Sequence, residues 1–441
     1  MRPASAFAAR EVKPPSTFLS YLWEGLKGIF DLRWLLSMPP KIVDQDPPKD
    51  ATVTIIIPCK NEKGHLTKTV ESLRYQTHLP YSVIIAENGP SDDGTIEEAD
   101  ELARRYPGRP GELRVFALHV GKTESKAEAL NAGLNSGLEI TADQVVQWKK
   151  DGIPIGEKFM VMDSDTEFEP NVIKLLLRHF YDKTVAAVCG YVINKTPQSG
   201  WHSIWSMAKL VEYLLSQGIF KNVLNAIGVQ TVASGCIAMY DTELVMRAGG
   251  FRNRTWAEDM DLTLALQVMG YKVVYEPLAR CKASEPETLK IFWKQRRRWQ
   301  YGSLQCFRLY FKTLFWMNFR LFCVMLITTF MSLLGAIVTG YDMYVMITDP
   351  TSEIIWRNMN GFLMVTGMLC FFAYRVGGMR LVFTALVSIP AALLGTYIIL
   401  LSFVVSIFFP VKKWDSGHGT FKESDPDQKP PVDTHSLKQA A

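Results

Sequence analysis

The distribution of apolar and polar positions divides the chain into three regimes. In 17–38, Leu19, Leu22, Trp23, Leu26, Phe30 and Trp34 recur at helical spacing, while Glu24, Lys27 and Asp31 gather on another face. Arg33 falls on the apolar side, where its long stem can carry the charge out to water. Those charges make a poor membrane-crossing helix, so the pattern predicts one lying in the headgroup plane or packed on a soluble domain. Residues 1–16 show no periodicity and read as disordered, and a linker rich in Pro and Asp covers 39–50.

From 51 onward, short β-branched runs alternate with helical periodicities. Val53 to Ile57, closed by Pro58, reads as a strand buried on both faces. Helices are predicted over 66–76, 96–106 and 125–137, and further strands over 81–86, 113–118 and 158–162. Such alternation predicts an α/β fold with a mostly parallel sheet and ligands outside the carboxyl ends of its strands. The third regime holds uncharged stretches at 321–341, 358–374 and 381–411. The first predicts a membrane span and the second is short for one. The last, interrupted by Pro390, predicts either a tilted helix or an interfacial piece followed by a span. The expected division is a tail, interfacial helix and linker in 1–50, an α/β domain in 51–284, interfacial helices in 285–318, a transmembrane region in 319–411 and a polar tail in 412–441.

Composition narrows the function. Hydrophobic content of 48% in 441 residues hides a last third far more apolar than the middle. A net charge of +4, with no basic run interleaved with aromatics, gives no support for a nucleic-acid partner. Seven scattered cysteines without CxxC spacing read as reduced thiols rather than a zinc site or disulfide framework. No apolar stretch with a cleavage pattern follows Arg2, so no secretory signal is expected. The apolar stretches contain no Asp, Glu, Lys or Arg to mark an ion path, which argues against a channel or transporter.

Candidate chemistry sits after the strands. Asp163 and Asp165 follow an apolar strand and, on an extended chain, would share one side, where two carboxylates can hold a hard divalent cation and a diphosphate. The same spacing at Asp44/Asp46 and Asp425/Asp427 means that position, not spacing, carries the signal. Glu258, Asp259 and Asp261 precede a helical pattern, either as simple N-terminal charges or with one of them accepting a proton from an attacking hydroxyl. Lys126 reads as a solvated residue or as a diphosphate counter-charge, and Glu62 and Glu87 follow successive strands where they could meet a nucleoside. Gln295, Arg298 and Trp299 spell QxxRW at helical spacing, which would turn an amide, a guanidinium and an indole into one cleft. Ser284 and Pro286 are the expected helix start, and Lys290, Lys294, Arg296 and Arg297 are expected to face lipid headgroups.

In order, these stations resemble the membrane-integrated family-2 glycosyltransferases, the group of cellulose, chitin and hyaluronan synthases and the rhizobial chitooligosaccharide synthases. The resemblance covers 53–304: Ile55 to Glu62 with Pro58, Glu87-Asn88-Gly89 where Asp-Asp-Gly is usual, Lys126 to Asn131, Asp163-Ser164-Asp165, Gly249-Gly250-Phe251, Ala257-Glu258-Asp259 and QxxRW. It implies a GT-A fold, a UDP-sugar donor and Mg²⁺ or Mn²⁺ held chiefly by Asp165 with Asp163. Asp259, beside Glu258, becomes the general base, and a single displacement inverts the anomeric carbon. Pro58, Glu62, Glu87, Lys126, Asp163, Gln295 and Arg298 would meet the donor, and Trp299 with Ser234, Gly235 and Cys236 the acceptor. Transfer to a growing β-linked glycan is the leading expectation. The alternatives are a single transfer to a polyprenyl phosphate or glycolipid, and a non-catalytic scaffold subunit. The catalytic domain would sit on the cytosolic face of the cell membrane. Glu87 and Ala257 depart from the usual Asp and Thr, and no clear pair of apolar spans precedes Val53, which puts a polymer-conducting channel in doubt.

Overall fold

The computed structural model describes residues 46–47, 50–89, 91–121, 125–141, 146–195, 204–284, 286, 288–349, 366, 370, 373–374, 378–379, 382–411, 413–415 and 420–422. The 17–38 helix, nearly all of the linker and most of 358–374 lie outside them.

The first half alternates as its periodicity predicts: β1 (Val53–Cys59), α1 (Leu66–Leu73), β2 (Ser82–Glu87), α2 (Thr95–Arg105), β3 (Val115–His119) and α3 (Lys126–Asn135). A hairpin of β4 (Leu138–Ile140) and β5 (Val146–Trp148) precedes β6 (Lys158–Val161). Next come β7 (Glu167–Phe168), α4 (Val172–Leu177) and β8 (Val185–Asn194). Helices α5 (Ile204–Leu215) and α6 (Lys221–Ala226) are joined through a π-helical turn at Ser216–Phe220. The sheet-forming region ends with β9 (Ala238–Asp241), α7 (Thr242–Arg247), α8 (Glu258–Val268) and β10 (Lys272–Ala283).

The main sheet runs β3-β2-β1-β6-β9-β8-β10-β7. Pairs β1/β2, β2/β3, β1/β6 and β8/β10 are parallel, while β9 runs against both β6 and β8, and β7 against β10. The uninterrupted apolar run of β1 has a simple cause: Val53, Ile55 and Ile57 pack with Leu66, Val70 and Leu102 on one face. Ile56 packs with Ala127, Leu130 and Leu134 on the other. Gly133 lets α3 lie directly on β1, because a Cβ there would come within 3.0 Å of Ile56.

A long helix, α9 (Leu289–Met317), carries the QxxRW residues. Its cap is Thr288, whose Oγ1 accepts from Ile291 N at 3.3 Å, and not Ser284. α10 (Phe319–Thr348) and α11 (Ile389–Phe408) follow, each long and apolar enough to cross a membrane. The 381–411 run divides at Ser388, with a helical stretch before it and Pro390 in the first turn of α11. Part of the polar tail is structured: β11 (Lys413–Asp415) pairs antiparallel with β12 (Thr420–Lys422). Met260 and Leu264 of α8, Cys306, Tyr310 and Leu314 of α9, and Leu321 and Met325 of α10 share one apolar cluster. The first membrane-length helix is thereby fastened to the sheet domain.

The basic cluster of α9 does not face outward as a group. Arg296 is 1% exposed, pairs with Glu212 Oε1 at 2.6 Å and stacks over Trp299 and Phe292. Arg297 donates from Nη2 to the carbonyls of Phe409 (2.9 Å) and Pro410 (3.4 Å), capping the end of α11. Their hydrogen-bonding partners inside the protein outweigh an interfacial placement.

Candidate active site

A cavity of about 600 Å³ opens at the carboxyl ends of β1 and β6 and is closed on the far side by α5, α6, α8 and α9. Its donor-side rim is the loop after β1. Asn61 takes a left-handed conformation (φ 53°), which turns the chain so that Asn61 N donates to Ser91 Oγ (3.1 Å) and Glu62 N to Thr95 Oγ1 (2.8 Å). Two loops are thus locked together, and Pro58, Glu62 and Asn88 line the cavity. Glu87 does not. Its buried carboxylate folds back to accept from the backbone N (2.8 Å) and Oγ (2.7 Å) of Ser91, so the extra methylene ties up its own loop.

Asp163 and Asp165 both line the cavity, but not from an extended strand. Thr166 N donates to Asp163 O at 3.0 Å, so the pair is presented by a tight turn after β6. The Lys126 ammonium donates to the Asp163 carboxylate. Burial and then the neighbouring Asp163 raise the pKa of Asp165, against Lys195 and the Ser284 hydroxyl. Glu62 is pushed up to about 8, first by burial and then by Asp165 and Asp163. Among the described residues these carboxylates form no ready-made cluster of three metal-ligating side chains, but Asp163 and Asp165 are hard-oxygen donors on one cavity wall and fit a divalent cation, which would offset the repulsion among the carboxylates.

Glu258 and Asp259 occupy the first turn of α8 and face the cavity. Asp259 Oδ2 accepts from Gly235 N at 3.1 Å and Oδ1 from Met260 N at 2.8 Å, which leaves its direction fixed. A Cβ on Gly235 would lie 3.4 Å from Asp259 Oδ2 and 3.5 Å from Lys126 Nζ. The base candidate and the Lys126–Asp163 pair therefore both border Gly235, at ordinary contact range. Burial, then Asp259, raise the pKa of Glu258 against Lys126 and Arg298. Asp261, the third acid of the cluster, is structural: Arg254 grips it from Nε (2.8 Å) and Nη2 (2.7 Å), and Tyr310 donates to Oδ1 at 2.6 Å.

Arg298 and Trp299 reach the cavity from α9, and Arg298 Nη1 donates to Trp256 O at 3.2 Å. Gln295 shares their face but lies a turn earlier, about 6 Å along the axis, and is not on the wall; its Oε1 is buried without a hydrogen-bond partner among the described residues. Ser234, Gly235 and Cys236 line the wall between Asp259 and α6.

One wall was not anticipated from sequence: Glu212, Tyr213, Ser216, Phe220 and Lys221, on α5, the π-turn and α6. Lys221 is 7% exposed and donates to Ser234 Oγ at 2.7 Å. The available signal was a set of charges, Lys209, Glu212 and Lys221, inside an otherwise apolar helical stretch. A π-turn at such a wall is common where a helix serves a site.

Known proteins resemble the chain in sequence and in fold. The chain resembles poly-β-1,6-N-acetyl-D-glucosamine synthase of Staphylococcus aureus (strain MSSA476), 26% identical over 277 residues, which is 62% of this chain and 60% of that protein. It also resembles hyaluronan synthase of Streptococcus pyogenes, 26% identical over 261 residues and 57% of each chain. The match therefore spans about 60% of the length of these relatives. Among solved structures, the mannosyltransferase PcManGT of Pyrobaculum calidifontis, in complex with GDP-Man and Mn²⁺, shares the fold. Its TM-score is 0.56 at 16% identity, covering 89% of this chain and 97% of that one. The profile of the glycosyltransferase-like family 2 matches residues 48–302. With that match over more than half its length, the chain is a member of glycosyltransferase family 2, built on the GT-A fold.

Proposed function

We propose that the protein transfers a hexose or N-acetylhexosamine from a UDP-sugar to a growing β-linked glycan, with inversion, at the cytosolic face of a membrane. The observation that carries this reading is the meeting of Asp163, Lys126 and Asp259 around Gly235, with Arg298 and Trp299 on the same cavity. Asp165 and Asp163, with Glu62 beside them, would hold Mg²⁺ or Mn²⁺, which when bound offsets charge on the leaving diphosphate. Arg298 and Lys126 add fixed positive charge on that side. Asp259, aimed by the Gly235 and Met260 amides, takes the proton from the attacking hydroxyl. Trp299 supplies a platform for the acceptor sugar, held in place by the Arg296 guanidinium against its ring.

Single transfer to a lipid acceptor is the second reading, favoured by the two membrane-length helices among the described residues. A panel of nucleotide sugars scored by UDP release, followed by sizing of the product, separates the two. A ladder supports extension, one lipid-soluble product supports single transfer, and no release with any UDP-sugar overturns both.

A further inference from the structure

A second cavity of about 290 Å³ lies beside the first, between α5 and α11. Val211 and Leu215 from one helix and Ala392 and Ile399 from the other make its walls apolar almost throughout. It shares Glu212, Ser216 and Phe220 with the active-site cavity, so the two spaces adjoin along about two helical turns. Glu212 also pins Arg296, which stacks on Trp299, so the sugar platform and the apolar space are joined through the same residue. α11 is long and apolar enough to cross a membrane and turns Leu393, Leu394 and Leu401 outward.

Polarity thus falls from carboxylates at Asp259 to hydrocarbon at Ile399 across two adjoining spaces. A glycan in the apolar part would leave buried hydroxyl groups without hydrogen-bond partners. Water would find few of the contacts it needs there. A hydrocarbon chain leaves nothing unsatisfied, and its other end would lie against Glu212 and Trp299. We propose that this side cavity holds the chain of an amphiphilic acceptor, a glycolipid whose sugar rests on Trp299 while its tail runs out between α5 and α11. The proposal rests on the glycosyl-transfer reading and names the acceptor on which a glycan would start.

The test uses the full chain in lipid nanodiscs, with methyl and decyl β-glycosides of glucose and N-acetylglucosamine as acceptors. In the wild type, the acceptor KM falls at least about tenfold from methyl to decyl, because each buried methylene adds to affinity. Thr396 stands exposed at the cavity, so Thr396→Trp fills it from the outside, and Ala392→Phe fills it from within. Both variants lose the chain-length dependence and keep the methyl-glycoside KM. Equal KM for methyl and decyl in the wild type, or a dependence that survives both substitutions, overturns the proposal. A decyl glucoside with a photoreactive diazirine at the chain end tests binding without any donor. Labelling of 204–220 and 389–399 that is lost in Thr396→Trp supports the site even if no sugar is transferred, in which case only the transfer reading fails. Labelling confined to α10, or indifferent to the substitutions, rejects the site while leaving transfer intact.

Discussion

At the scale of single residues, the site is made by side chains whose neighbours leave them one direction. Asp259 is held by the Gly235 and Met260 amides, one on each carboxylate oxygen, so an amide side chain in its place keeps only one of these hydrogen bonds and can no longer take a proton. Asp259→Asn should lower kcat by about 10²–10⁴-fold, with a modest drop in thermal midpoint from the one lost hydrogen bond; near-normal turnover in a steady-state assay would remove Asp259 from the mechanism. Arg296 acts at one remove. Its guanidinium sits 4.3 Å from the centre of the Trp299 ring and is anchored by Glu212. A desolvated cation–π contact of about 2 kcal/mol makes Arg296→Met raise the acceptor KM roughly tenfold or more. The donor KM should stay as it was, and Trp fluorescence should shift. A loss shared equally by donor and acceptor would mean that Arg296 supports the whole cavity instead. Neither fact about Arg296 was legible from the sequence, which sends Arg298 into the cleft and leaves Arg296 and Arg297 alike at the lipid headgroups. Glu212, which decides between them, is 84 positions away in |i−j|.

At the scale of elements, legibility followed the range of the forces. β1, α1, β2, α2 and α3 are written in local apolar periodicity, and their two-sided burial keeps that signal clean. The antiparallel insertion of β9 between β6 and β8 was not legible, because pairing between distant strands leaves no period in either one. The DxD turn shows the same limit: the residues were identified, but the backbone that presents them depends on a Thr166–Asp163 hydrogen bond. One inter-element device has a measurable consequence. Glu276, at the irregular edge of β10, accepts from Arg178 at 2.5 Å and from His179 at 2.7 Å, and all three are nearly buried. Burial alone would raise its pKa, but the His179 and Arg178 hydrogen bonds outweigh burial and leave it below the ordinary value. A carboxylate with a lowered folded pKa contributes stability above its unfolded value of about 4.3, and this is lost as pH falls through the folded value. Glu276→Gln leaves a buried guanidinium without its counter-charge and should cost about 3 kcal/mol or more near neutral pH. In thermal scans from pH 7 to 3, the variant should lose less of its midpoint than the wild type. Parallel curves would show that the triad contributes no charge-dependent stability.

At the scale of the whole molecule, one cavity draws on residues from Pro58 to Gln305 and lies where the main sheet meets membrane-length helices. One wall concentrates Glu62, Asp163 and Asp165; burial first, and then repulsion from the neighbouring carboxylates, raises the pKa values of Glu62 and Asp165. A nucleoside diphosphate brings further negative charge to that wall, and Lys126 is already engaged by Asp163. Charge balance therefore makes divalent cation and UDP cooperative ligands: each should bind the cavity far better in the presence of the other. Calorimetric titration of UDP into metal-stripped protein should show binding at least about tenfold weaker than with Mn²⁺ or Mg²⁺ present, a coupling of ~1.4 kcal/mol or more. Asp165→Asn should move the half-saturating metal concentration upward and shrink the coupling, whereas Glu276→Gln, remote from the cavity, should leave it intact. Equal UDP affinity with and without cation would mean that the lysine and arginine on the wall suffice for the diphosphate. The acidic cluster would then need an explanation other than metal binding.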